Sequence, residues 1–189
     1  MPRKKKIWYP GAMYHIMCRG NHRQNIFRDD ADRQFYLMTL LQVKQLYPLF
    51  LYSYCLMDNH VHLQVETTDF EISKIMQRIN KVYAVYFNEK YNFVGHLFQG
   101  RFQWELIDKD SYNLEPSRYI HLNPVRAEII KDPLDYHWSS YSAYILGTQE
   151  NLVDTIKILE YFSEPKKEKY KRFVEGNEVP GTDKLLLSP

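Results

Sequence analysis

At 189 residues, with 44% hydrophobic and 25% charged side chains and a formal net charge of +2, the chain suits one well-packed domain; intrinsic disorder and two full domains are excluded. No apolar run reaches membrane-spanning length, and the basic start Arg3 to Lys6 leads into Tyr9-Pro10-Gly11, His15 and Arg19 rather than an apolar stretch, so the expectation is a cytoplasmic protein with no membrane partner. Cys18 and Cys55 lack Cys-x-x-Cys spacing and read as buried, reduced thiols.

From Ala12 to Arg19, Tyr14, Ile16 and Cys18 alternate with Met13, His15 and Met17, and Gly20-Asn21 follows; the pattern predicts a strand ending in a loop. Asp29 or Asp30 caps a helix to about Tyr47, stopped by Pro48. Phe50 to Met57 and His60 to Glu66 form a hairpin across Asp58-Asn59. Ile72, Ile75, Met76, Ile79, Tyr83, Tyr86 and Phe87 recur at spacings of three and four, which predicts a helix over about Phe70 to Lys90. Val94 to Glu105 is read as a fourth strand. The order strand, helix, strand, strand, helix, strand is that of an α+β, ferredoxin-like (split βαβ) antiparallel sheet, with helices on one face and the other face free. Beyond Gly147 the expectation is a helical appendage: a helix over Val153 to Phe162, a charged helix over Glu164 to Glu175, and a loose tail from Gly176. The boundaries are therefore 1–147 for the main domain and 148–189 for the helical extension with its loose tail.

Chemistry concentrates in two segments. On a strand, His60, His62, Gln64 and Glu66 share one side, while Val61, Leu63 and Val65 share the core side. Two imidazoles so placed can hold a divalent cation, and a tyrosine brought over them can attack an activated phosphodiester. Tyr119 and Asn123, four apart, fall on one face of a helix, although Pro124 biases Asn123 away from helical geometry and Pro116 marks or kinks the helix start. Sixteen tyrosines and ten phenylalanines offer rings for stacking unpaired bases, and basic residues gather around Arg19, Arg23 and Arg28 and in Lys166 to Arg172. The plainer alternatives are a polar strand face for the histidines, a packed helix residue for Tyr119 and solvated surface for the basic patches. His121 faces elsewhere and reads as structural, Glu66 as a solvated strand end, and Trp138-Ser139-Ser140-Tyr141 as a packing corner.

Three ordered motifs, Met57-Asp58-Asn59-His60-Val61-His62-Leu63, Gly95-His96-Leu97-Phe98-Gln99-Gly100-Arg101-Phe102 and Tyr119-Ile120-His121-Leu122-Asn123-Pro124-Val125-Arg126, resemble those of the single-tyrosine His-hydrophobic-His transposases, particularly the REP-associated tyrosine transposases. The resemblance covers about residues 8 to 147. It implies a ferredoxin-like domain, its tyrosine-bearing helix over the site, that nicks single-stranded DNA beside a hairpin and leaves a 5′-phosphotyrosine link and a free 3′-hydroxyl. Carried over, Tyr119 is the catalytic nucleophile, His60 and His62 are metal ligands, and Asn123 is a third ligand. It also implies Mg²⁺ or Mn²⁺, whereas a two-histidine site taken alone favours zinc. Arg19, Arg23, His96, Gln99, Arg101 and Arg126 are the expected DNA-binding residues, with the basic C-terminal segment adding hairpin contacts. The expected partner is hairpin-bearing single-stranded DNA rather than a small-molecule substrate, with a monomer favoured over a homodimer. Two other classes stay open: a non-catalytic single-stranded DNA or RNA binder of the same fold, and a metal-dependent phosphodiesterase without a covalent intermediate.

Overall fold

The computed structural model describes residues 7–107, 114–148 and 151–176. Its first strand, β1, spans Met13–Arg19. Helix α1 covers Asp30–Leu46 behind a reciprocal cap, in which the Asp29 side chain accepts from the Asp32 N–H and the Asp32 carboxylate accepts from the Asp29 N–H. Strands β2, Leu49–Met57, and β3, His60–Thr67, are joined by the two-residue turn Asp58-Asn59, which pairs Met57 with His60. Helix α2 covers Ile72–Tyr91, and Asn92 ends it in the left-handed conformation. Strand β4, Gln103–Ile107, completes an antiparallel sheet of order β2-β3-β1-β4. That is the split βαβ arrangement that the order of elements predicts.

One face of the sheet is a conventional apolar layer. Tyr14, Ile16 and Cys18 of β1 and Val61, Leu63 and Val65 of β3 join Tyr36, Leu40 and Val43 of α1 and Ile75, Met76, Ile79, Tyr83 and Phe87 of α2 in a single buried cluster. Burying whole side chains of this size contributes about 1.5–3 kcal/mol each.

The expectation of a free second face fails, because β2 is buried along both sides: of its residues only Phe50 is exposed. A strand apolar on both sides needs two covers. The second is built from three helices, α3 (Leu114–His121), α5 (Tyr141–Leu146) and α7 (Lys166–Glu175). Ser117 of α3 hydrogen-bonds Ser53 at 2.8 Å, and the Tyr144 hydroxyl of α5 donates to the Tyr52 carbonyl at 2.8 Å. Tyr170, Phe173 and Val174 of α7 are buried in the same cluster as the sheet. The segment after Gly147 is thus no appendage: its helices close the second layer.

Two other expectations shift. Residues 94–102 are mostly loop rather than strand, since Gly95 and Gly100 take φ of 114° and 68° and only Phe98 makes a bridge, to Gly20. Backbone bonds from Asn21 N–H to Leu97 and from Gln99 N–H to Arg19, each 2.8 Å, still clip this loop onto the end of β1. The predicted helix over Val153 to Phe162 shrinks to α6, Ile156–Leu159. Its first turn is diverted because Asp154 zips to the edge of β2, exchanging backbone and side-chain bonds with Leu51 at 2.8 Å and pairing with Lys44. The short helix α4, Asn123–Arg126, follows α3 directly. Arg3 to Lys6 and the tail beyond Gly176 lie outside the described residues.

Candidate active site

The pleat of β3 turns His60 and His62 to the second face, on the part that α3 borders. Their rings are perpendicular, at 89°, with centroids 4.9 Å apart. His60 Nδ1 lies 2.6 Å from the Asn59 carbonyl oxygen, whose amide nitrogen is turned to the Arg23 carbonyl. A carbonyl oxygen only accepts, so this contact places a proton on Nδ1. His62 is buried, and its Nδ1 is 2.9 Å from Nε2 of His15 on the neighbouring strand. Burial pushes the His62 imidazolium down to about 3, with His60, His15 and the Arg19 guanidinium adding repulsion. His60 is lowered chiefly by burial, opposed by a hydrogen bond that its ring makes to the Asn123 side chain, with Arg19 adding repulsion. Both rings are therefore neutral at physiological pH, the form that binds metal.

Pro116 sits in the first turn of α3, where no internal N–H bond is lost. Ser117, Ile120 and His121 point inward, which leaves Tyr119 on the opposite side, 39% exposed. Its ring stands edge-on to His62 with centroids 5.5 Å apart and to His15 at 5.6 Å. The Arg126 guanidinium lies over the same ring, 4.9 Å from its centroid. The bias of Pro124 against a helical Asn123 is overridden: Leu122 keeps φ −85° and ψ −2°, and the Leu122 and Arg126 N–H groups donate to Arg118 and Leu122 at 3.0 and 2.9 Å. Asn123 lies one turn from Tyr119, its amide donating to the Tyr119 carbonyl at 3.3 Å while its side chain also bonds His60.

Among the described residues, no three His, Cys, Asp or Glu side chains are grouped to hold a metal ion. Two imidazoles side by side, with the Asn123 side chain against His60, nonetheless fit a cation that keeps open positions. Gln64 and Glu66 do not add to the set: Gln64 is buried against Ser53, and Glu66, read as a solvated strand end, instead accepts from the Tyr52 hydroxyl and pairs with Lys157.

Arg19 is placed next to both histidines, opposite His60 in the ladder, with its Nε buried and unpaired. Arg23 lies at positive φ in the short turn Asn21–Arg23, and exposed His96, Gln99 and Arg101 sit on the loop that the β1 end holds. Those residues border the His60 end of the site, and Arg126 borders the Tyr119 end. Two contributors, His15 and Asn59, were not singled out from sequence. His15 belongs to the alternate set of β1, the one signal that places it on the face of His62.

A family model described as "Transposase IS200 like" matches residues 9–123. No curated protein matches. Among solved structures, a REP-associated tyrosine transposase bound to a REP hairpin aligns with a TM-score of 0.66 at 18% identity, covering 82% of this chain and 89% of that one. At that identity the likeness shows a common fold. A second structure, assigned as a transposase from Deinococcus radiodurans R1, aligns at 15% identity over 68% of this chain and 92% of its own, but its TM-score of 0.45 supports no argument. No helix among the described residues is long and apolar enough to cross a membrane.

Proposed function

The chain belongs to the IS200-like transposase family, and from that premise we propose that it cuts and transfers single-stranded DNA beside a hairpin through a covalent link to Tyr119. The observation that carries the reading is an exposed Tyr119 standing edge-on to His62, one turn from an Asn123 that reaches His60. His60, His62 and Asn123 would hold a divalent cation, Mg²⁺ or Mn²⁺, which would neutralise charge at the attacked phosphate.

The chain's own groups do the rest. The Tyr119 oxygen attacks phosphorus as its proton passes to solvent water; the Tyr119–phosphorus bond forms while the bond to the 3′ oxygen breaks. The leaving oxygen gains a proton and departs as a 3′-hydroxyl, and the 5′ end stays on the tyrosine. One ester replaces another, so a 3′-hydroxyl can attack in reverse and reseal or transfer the strand. Arg126 and Arg19 flank the attacked position and hold backbone phosphate, while Arg23, His96, Gln99 and Arg101 contact the flanking strand. A hairpin is the partner that the fold likeness supports, since the similar structure holds one. A monomer with its tyrosine in cis is supported by the anchoring of α3 to its own sheet through Ser117 and Ser53.

The rival of a base-stacking, non-catalytic module needs a bare aromatic sheet face, and here α3, α5 and α7 cover much of it. Incubation with labelled hairpin DNA carrying single-stranded flanks, with Mg²⁺ or Mn²⁺, should give a denaturation-resistant adduct. No adduct on any such DNA, or cleavage that persists in Tyr119→Phe, sinks the covalent mechanism and leaves the simple phosphodiesterase.

A further inference from the structure

We propose that His15 is a positioning residue that holds His62 in its metal-binding tautomer, a role that rests on the reading of His60 and His62 as metal ligands. The His15 and His62 rings are tilted by 30° with centroids 5.1 Å apart, and His15 Nε2 faces His62 Nδ1 at 2.9 Å. At that separation one nitrogen carries a proton and the other a lone pair; two protons or two lone pairs would repel. If His15 donates, His62 Nδ1 is the acceptor, its proton sits on Nε2, and His62 has no lone pair left for a cation. If His62 donates, Nε2 is bare and can bind one. The function of the pair therefore requires His15 to be the acceptor, with its own proton on Nδ1.

Glu105 stands opposite His15 in the β1–β4 ladder. The position is also built to be rigid: His15 is held in the middle of β1, opposite Gln64, with the Tyr119 ring against its other side. His60 has an equivalent device in Asn59, whose carbonyl oxygen takes the Nδ1 proton. Each ligand thus has one acceptor behind it, the arrangement by which proteins orient metal-binding imidazoles and raise their basicity.

The test has two arms on the full chain. ¹⁵N-histidine NMR of the metal-free wild type should find His62 protonated on Nδ1 and bare on Nε2; a proton on Nε2 overturns the inference, with no variant required to fold. Mn²⁺ alone is then titrated and read by the electron paramagnetic resonance of the free ion. His15→Phe keeps a ring but offers no acceptor and should weaken binding about 10-fold or more, while His15→Gln, whose side-chain carbonyl can replace Nε2, should recover most of the loss. Unchanged affinity in His15→Phe, or equal losses in both variants, overturns the inference and leaves His15 a packing residue. A wild type that takes up no Mn²⁺ would overturn the metal reading and this inference with it, and is told apart because no variant then has an effect to read.

Discussion

Two buried histidines, His62 and His121, lie on opposite sides of the tyrosine helix, and burial pushes both down to about 3. They differ in what their rings are asked to do. His121 spends both nitrogens on the fold: Tyr170 lies 2.9 Å from Nδ1 and Ser140 2.8 Å from Nε2, inside a shell of Tyr141, Tyr144 and Tyr170 rings. His62 spends only Nδ1, on His15, and among the described residues its Nε2 has no protein partner. A buried polar group with all its valences met stabilises structure, whereas one with a valence in hand is available to a ligand. Helix α3 thus has a structural side, Ser117 and His121, and a chemical side, Tyr119.

The largest test of that division removes the clamp on the structural side. Ending the chain after Gly147 deletes Leu152, Val153, Ile158, Phe162, Tyr170, Phe173 and Val174, all buried in the main cluster. At about 1.5–3 kcal/mol for each buried side chain, the loss is comparable with the whole stability of a domain, about 5–15 kcal/mol. Near-ultraviolet circular dichroism should therefore show loss of tertiary structure, not the selective loss of hairpin binding expected of an appendage. A truncated chain that keeps a native spectrum would restore the view of an independent extension.

The second test strikes the chemical side alone. Tyr119→Phe should abolish the covalent adduct and slow cleavage by a factor on the order of 10⁴–10⁶, the scale of removing a nucleophile. Its effect on the unfolding free energy from urea titration should stay within about 0.5 kcal/mol, because the hydroxyl belongs to an exposed ring. The third does the reverse. His121→Leu withdraws a partner from Tyr170 and Ser140, which keep Ser117 and the Tyr54 backbone, so a cost of about 1–3 kcal/mol is expected in urea unfolding. Cleavage per folded molecule should change by only a few-fold; a loss as deep as that of Tyr119→Phe would mean that the two sides of α3 are one machine.

What was legible in the sequence follows from how local each cause is. The hairpin at Asp58-Asn59, the shared face of His60 and His62 and the Asp29 cap depend on neighbours within a few residues, and the structure has them. Tyr119 is different: nothing local separates it from fifteen other tyrosines, and motif similarity singled it out. The later half of Val94 to Glu105 alternates like a strand, but only Gln103 onward joins the sheet, and positive φ at Gly95 and Gly100 makes the rest a loop. The second cover was partly visible, since nearly every residue from Leu49 to Met57 is apolar, yet nothing in that run says which helices answer it. His15 stayed hidden because its meeting with His62 depends on the β1–β3 register, set between segments 47 residues apart.

The finest test of the comparison is a slope rather than a loss. His121 has a folded pKa of about 3 against 6.5 when unperturbed. Above pH 6.5 it is neutral in both states and contributes nothing to pH dependence. Between 6.5 and 3 the unfolded chain takes a proton that the folded chain refuses, so stability falls with falling pH at up to about 1.4 kcal/mol per unit. His121→Leu removes that term. Its deficit against the wild type should therefore be largest near pH 7 and shrink by about 2 kcal/mol on going to pH 5, which would nearly cancel the cost of the lost hydrogen bonds. Paired urea titrations of the metal-free proteins at pH 7, 6 and 5 measure this directly. A deficit that stays constant would mean that His121 accepts a proton inside the fold, in which case one of its two hydroxyl partners has turned away and the structural side of α3 has a valence in hand as well.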